Sequence, residues 1–160
     1  MIFYNDRIKI QLSNSCKNIK LTSDEQHVIY GISSIIEIGN CLFVDVKREG
    51  RFNINPDFVK RAFGDYTGYE ASNNHFHVGD LFAEIDSTQS TIELGLKIIE
   101  VWEEVIKDKF PNNEIVFTLT SNDDGISVRF NKYRSDEGYW IEPDKINDYN
   151  EGIMVKKIKL

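Results

Sequence analysis

Three groups of residues have the types and spacing to do chemistry. The first is His75-Phe76-His77 with Asp80. Residues two apart on a strand share a face, so both imidazoles would point the same way. Zinc takes His and Asp ligands, and this set suits a small metal-dependent hydrolase. His27, the third of the three histidines, stands far off in sequence, so spacing supplies no further ligand. The same residues also read simply as a polar strand entry. The second group is Glu84 and Asp86, on one face of the same expected strand. Paired carboxylates divide into acid and base only where their environments separate their pKa values; a solvated acidic face is the plainer expectation.

The third group runs from Arg129 to Trp140 and mixes Arg, Tyr and Trp. Those types dominate binding hot spots, because they supply large area with a polar handle. The competing expectation packs Trp140 over a sheet edge and pairs Arg129 and Arg134 with local carboxylates. Nucleophile signatures are missing: Cys16 and Cys41 are far apart and unflanked, and no Gly-x-Ser-x-Gly elbow occurs. Neither Gly-x-Gly-x-x-Gly nor Gly-x-x-x-x-Gly-Lys is present, which excludes the commonest phosphate loops. No cofactor is expected.

These residues need elements to position them. Arg7 to Leu12 alternates apolar and polar and reads as a half-buried strand; Ile19 with Leu21, and Val28 to Ile32, read as further β segments. Ile35–Ile38 and Cys41–Val46 flank Gly39-Asn40, a tight hairpin signal because both turn residues tolerate positive φ. Asn55 and Pro56 start a short helix with Phe58, Val59, Ala62 and Phe63 on its apolar stripe and Gly64 as its stop. Residues 65–75 read as loop, and Val78 to Asp86 as a strand with an acidic outer face. Ser90 and Glu93 form a capping box for a long helix to Phe110, with two apolar rows that bury it against a sheet. Its interior Gly95 permits close backbone approach, and Glu93–Lys97 and Glu103–Lys107 have ion-pair spacing. Glu114–Thr120 and Ile126–Phe130 flank a second hairpin turn, and Ile153–Ile158 closes the chain as a strand. Together these predict one α+β domain over 1–160, a mainly antiparallel sheet with one long and one short helix on one face.

The chain has 160 residues, 41% hydrophobic and 12% aromatic, too apolar for a disordered chain. The formal net charge is −7. Residues 1–72 carry nine acids and nine bases; residues 73–160 carry 17 acids and ten bases, so the whole excess lies in the second part. Such a surface repels phosphate backbones and anionic lipid, which sets nucleic acid and membranes aside, and attracts a basic protein. It also serves plain solubility. No stretch approaches the ~20 apolar residues of a membrane span. No signal peptide is visible, and two separated cysteines suit a reducing cytoplasm.

A small, acidic chain rich in Ile, Asn and Lys, lacking catalytic motifs and carrying the stretch Val128-Arg129-Phe130 through Trp140, resembles the bacterial immunity proteins. Members of that class neutralise a toxin by binding it. The resemblance implies a non-enzymatic protein with a cognate basic partner. It implies Glu84, Asp86, Glu100 and Glu104 at the interface, with Tyr133 and Trp140 as aromatic anchors. The alternatives are the His75/His77/Asp80 hydrolase and a structural or accessory subunit.

Overall fold

The computed structural model describes residues 1–15, 19–47, 49–87 and 89–160; Cys16 lies outside them. In chain order the elements are β1 (Ile2–Tyr4), α1 (Asp6–Ser13), α2 (Ser23–Gly31), β2 (Ile35–Ile38), β3 (Cys41–Val44), α3 (Pro56–Phe63) and α4 (Tyr66–Asn73). There follow β4 (Phe76–His77), α5 (Val78–Leu81), α6 (Thr91–Lys109), β5 (Glu114–Asn122), β6 (Gly125–Lys132), a 3-10 helix (Pro143–Asp148) and β7 (Gly152–Lys159). Five strands form an antiparallel sheet in the order β1-β7-β5-β6-β4, and β2–β3 is a separate hairpin. The α+β class therefore stands, with more helices than the sequence suggested.

Several elements follow their expected causes. Gly39 and Asn40 take φ of 54° and 64°, which turns the β2–β3 hairpin. Leu42 and Val44 point into the main core, and Cys41 and Phe43 into another cluster on the opposite side. Asn55 caps α3, Pro56 opens it, and Gly64 stops it at a φ of 88°. The Ser90–Glu93 capping box starts α6. A Cβ on Gly95 would lie 3.2–3.3 Å from side-chain carbons of Ile126, Leu119 and Val128, so the glycine lets the helix sit close on the sheet.

Other segments differ from expectation. Arg7–Leu12 is helical, not a strand. Ile8 is fully buried and Ile10 is 67% exposed, so the apolar spacing that counts is Ile8 to Leu12, one helical turn. Asn5 caps that helix by accepting from the Ile8 amide at 3.1 Å. Val28–Gly31 belongs to α2, where a Thr22–Glu25 capping box overrides the β-branched composition. Ile19 and Leu21 lie in no strand. Residues 66–73 form α4 rather than a loop. The strand expected over 78–86 is absent: only Phe76 and His77, just before it, pair with β6, and Val78 turns into the core as the start of α5, followed by turns.

The sheet has two unlike faces. On one, α1, α2, α5, α6 and the inner side of the β2–β3 hairpin enclose the main core around Trp102, Phe117 and Phe130. The Trp102 indole donates to the Ile32 carbonyl at 2.9 Å and its ring meets Phe130 edge-on at 5.1 Å. On the other face, Val116, Ile153 and Val155 are covered by Ile141 and Ile146 from the 134–151 segment. Asn5 ties that segment down. Its amide donates to the Ile146 and Glu151 carbonyls, and its oxygen also accepts from the Ile153 amide.

The hairpin joins the sheet through a side chain of α4 and that of its C-terminal cap, Asn74. Glu70 and Asn74, one helical turn apart, are both fully buried. Glu70 accepts from the amides of Leu42 on β3 and Lys132 on β6 (2.5 and 2.9 Å). Asn74 accepts from the Val44 amide at 2.9 Å and donates to the carbonyls of Leu42 and Phe130 at 2.8 and 3.2 Å. Arg134 balances the Glu70 charge at 2.7 Å. Burial still pushes the Glu70 carboxyl above its ordinary range, with Arg134 opposing. Replacing Asn74 by Ala strands three buried backbone groups. At about 1 kcal/mol each, the variant should lose about 3 kcal/mol in urea unfolding with an unchanged m-value; a loss below ~1 kcal/mol would contradict the bridge.

Candidate functional site

The polar side chains of the second sheet face converge on a cavity of about 380 Å³. Strand alternation places them. Cross-strand pairing sets His77 of β4 opposite Ser127 of β6, and Ser127 opposite Thr120 of β5. Arg129, two residues on from Ser127, shares the face. Trp140, Ile141, Tyr149 and Glu151 close it from the covering segment, and His75 adds a second imidazole. The two imidazole rings lie 4.7 Å apart on one face, as their spacing predicts.

Two polar atoms of the lining are buried without a hydrogen-bond partner, His75 Nε2 and Arg129 Nε. Two further unpartnered atoms, Thr118 Oγ1 and Asn131 Oδ1, belong to the same sheet face. Arg129 has no carboxylate within 4 Å among the described residues. It stacks instead against the Trp140 ring, 5.8 Å from the centroid. Burial draws its guanidinium below its ordinary value, with Glu151 opposing. The expected pairing of both arginines with local carboxylates thus holds for Arg134, with Glu70 and Glu137, and fails for Arg129. Ser127, Tyr149 and Glu151 were not singled out from sequence. The polar alternation Ser127-Arg129-Asn131 was the signal that could have placed the first beside Arg129.

Ser127 and His77 are the one hydroxyl–imidazole pair among the described lining residues. Ser127 Oγ and His77 Nδ1 are 3.1 Å apart, within reach for proton transfer. Ser127 is nevertheless 7% exposed, and among the described residues no carboxylate hydrogen-bonds His77. Asp80 lies on α5, and among the described residues no three His, Cys, Asp or Glu side chains gather as a metal site. Cys41 is a free, buried thiol pushed up to about 12 by burial and then by Glu70, which makes it a poor nucleophile.

The expected interface residues fall into three places. Glu84 and Asp86 are exposed in the turn between α5 and α6, not on a strand. Glu100 and Glu104 are exposed on α6, on the helical side of the sheet. Tyr133 and Trp140 are on the other side. Tyr133 packs with Val116 and Val155, and the Lys157 ammonium sits 3.1 Å from its ring centroid. Trp140 is 40% exposed at the cavity mouth. The six therefore do not form one surface.

Burial, then the neighbouring Arg129 and His77, lowers the His75 imidazole from 6.5 to about 4. The folded chain keeps it neutral where the unfolded chain protonates. Its contribution to stability is complete above pH 6.5 and is lost as the pH falls toward 4. After discounting for partial exposure, this amounts to roughly 1 kcal/mol. Thermal midpoints of the His75→Asn variant should fall less steeply than wild type over that range, and parallel curves would contradict the assignment.

Among the described residues no helix is long and apolar enough to cross a membrane. No solved structure matches the chain. A protein of Pasteurella multocida (strain Pm70), Uncharacterized protein PM0498, is 25% identical over 167 residues, covering 99% of both chains. The model of the corresponding family matches residues 3–159. The chain therefore belongs to the Uncharacterized protein PM0498 family.

Proposed function

We propose that this is a non-enzymatic protein-binding domain of the toxin-neutralising kind, acting in the cytoplasm on a basic partner protein. The observation that carries the reading is the surface along α6. Two neighbouring hollows, of about 260 and 370 Å³, share Ile19 and Lys97. Leu12, Leu96 and Met154 line one, and Leu21, Ile29 and Val101 line the other. The first is also lined by Glu93 and Glu100 with Lys97, and the second by Glu104 with Lys20 and Lys97.

In the first hollow, apolar side chains beside two carboxylates suit a Lys or Arg side chain, which buries its stem and presents a charged head. Lys97 already pairs with Glu100 at 2.6 Å, so a partner cation there competes with an internal one. Glu104, also exposed, is the freer contact. The reading makes Glu84 and Asp86 peripheral steering charges and drops Tyr133, whose ring is engaged by Lys157. The free thiol of Cys41 fits a reducing compartment. Nucleic acid and membranes are poor partners for this charge distribution.

The test is calorimetric titration against the protein encoded beside this gene, over a salt series. Binding should weaken with salt, and the Glu100→Lys/Glu104→Lys double variant should lose about tenfold or more in affinity, mainly through slower association. Absence of a complex, or a complex indifferent to salt and to both reversals, would overturn the reading.

A further inference from the structure

We propose that the cavity on the sheet face opposite α6 binds a small oxyanion, a carboxylate or phosphate carried on a flat ring, with Arg129 holding the anion and Trp140 and Tyr149 flanking the ring. This site is separate from the acidic surface of α6, on the other side of the sheet.

The first observation is the guanidinium. Arg129 is directed into the cavity, its Nε is buried without a partner, and among the described residues no carboxylate lies within ion-pair distance. A desolvated charge without a partner is costly, and a guanidinium is shaped to take a carboxylate or phosphate through two parallel hydrogen bonds. The second observation is the neighbouring imidazole. His75 Nε2 is also buried and unpartnered. Bound beside Arg129, an oxyanion supplies an acceptor to both groups at once. Ser127 contributes a hydroxyl on the same wall.

The third observation is the pair of aromatics. Trp140 and Tyr149 are 40% and 39% exposed, two of the few large apolar side chains left open among the described residues. Both line this one cavity. The volume of about 380 Å³ lies in the range that takes a small molecule, and an aromatic wall beside a fixed charge selects a ring bearing an anion. Glu151 also lines the cavity and sets a direction for the test. Its carboxylate is held toward Asn122 at 3.4 Å, so it acts as a repulsive neighbour for an incoming anion.

The experiment titrates the intact protein with inorganic phosphate, benzoate and phenyl phosphate, reading the Arg129 Nε–H, His75 and Trp140 indole resonances. The two ring-bearing probes should shift all three signals at millimolar concentration, and inorganic phosphate should bind more weakly. The stronger of benzoate and phenyl phosphate assigns the anion. Arg129→Gln should weaken binding about tenfold or more, Arg129→Lys should retain part of it, and Glu151→Gln should tighten it. Unmoved resonances in the wild-type protein with every probe would overturn the proposal, independently of how the variants fold. So would binding weakened as much by Glu151→Gln as by Arg129→Gln, because an anion held by the guanidinium should gain from loss of the neighbouring carboxylate.

Discussion

The molecule depends on two side chains doing what a strand ordinarily does. β3 and β6 expose backbone groups toward each other without pairing, and in a buried setting such groups must find partners. Glu70 of α4 and Asn74, its C-terminal cap, supply them, one helical turn apart, each bonded to both strands. Asn74 is suited to this because its amide both donates and accepts. Glu70 can only accept when ionised, so it takes two amides and requires a cation, which Arg134 provides. Arg134 in turn holds the Asn40 carbonyl of the hairpin turn at 3.0 Å and lies near Glu137, whose carboxylate accepts from the Thr67 amide at the start of α4. One buried ion pair thus fixes a helix, a hairpin and the end of β6 relative to one another.

That arrangement decides what each face of the sheet is free to do. Helices and hairpin consume one face completely. The other is covered only by the irregular 134–151 segment, which Asn5 pins at Ile146 and Glu151. Where that cover is apolar, over Val116 and Val155, it closes on the sheet. Where β6 presents Ser127 and Arg129, it stands off and leaves a cavity with Trp140 at its mouth. The acidic outer side of α6 belongs to the opposite side of the molecule. The two proposed binding surfaces, of contrary charge preference, therefore lie on opposite sides of the sheet.

The sequence was most legible where local chemistry and tertiary packing agree. The Gly39-Asn40 turn, the Asn55-Pro56 helix start and the Ser90–Glu93 capping box are each specified within a few residues, and each is present. The errors have one physical source. Over six residues the pattern Ile8, Ile10, Leu12 fits a strand as well as a helix, and the deciding groups were the cap at Asn5 and the exposure of Ile10. The 66–73 segment has the composition of a loop, and its helix is justified by what Glu70 and Asn74 reach on strands dozens of residues away. The histidine pair of the cavity was legible from its spacing alone. Its neighbours Ser127, Tyr149 and Glu151 were not, because the 134–151 segment has no period from which to infer what it covers.

The central claim is that the side chains of Glu70 and Asn74 lock the β2–β3 hairpin into the same cooperative unit as the five-stranded sheet. Native-state hydrogen exchange of the Leu42, Val44 and Lys132 amides tests it most directly, since all three donate to Glu70 or Asn74. The account predicts that they exchange only through global unfolding, with the same opening free energy as amides in the β5–β6 ladder. Fast, loop-like exchange at Leu42 and Val44 beside a protected β5–β6 ladder would contradict it.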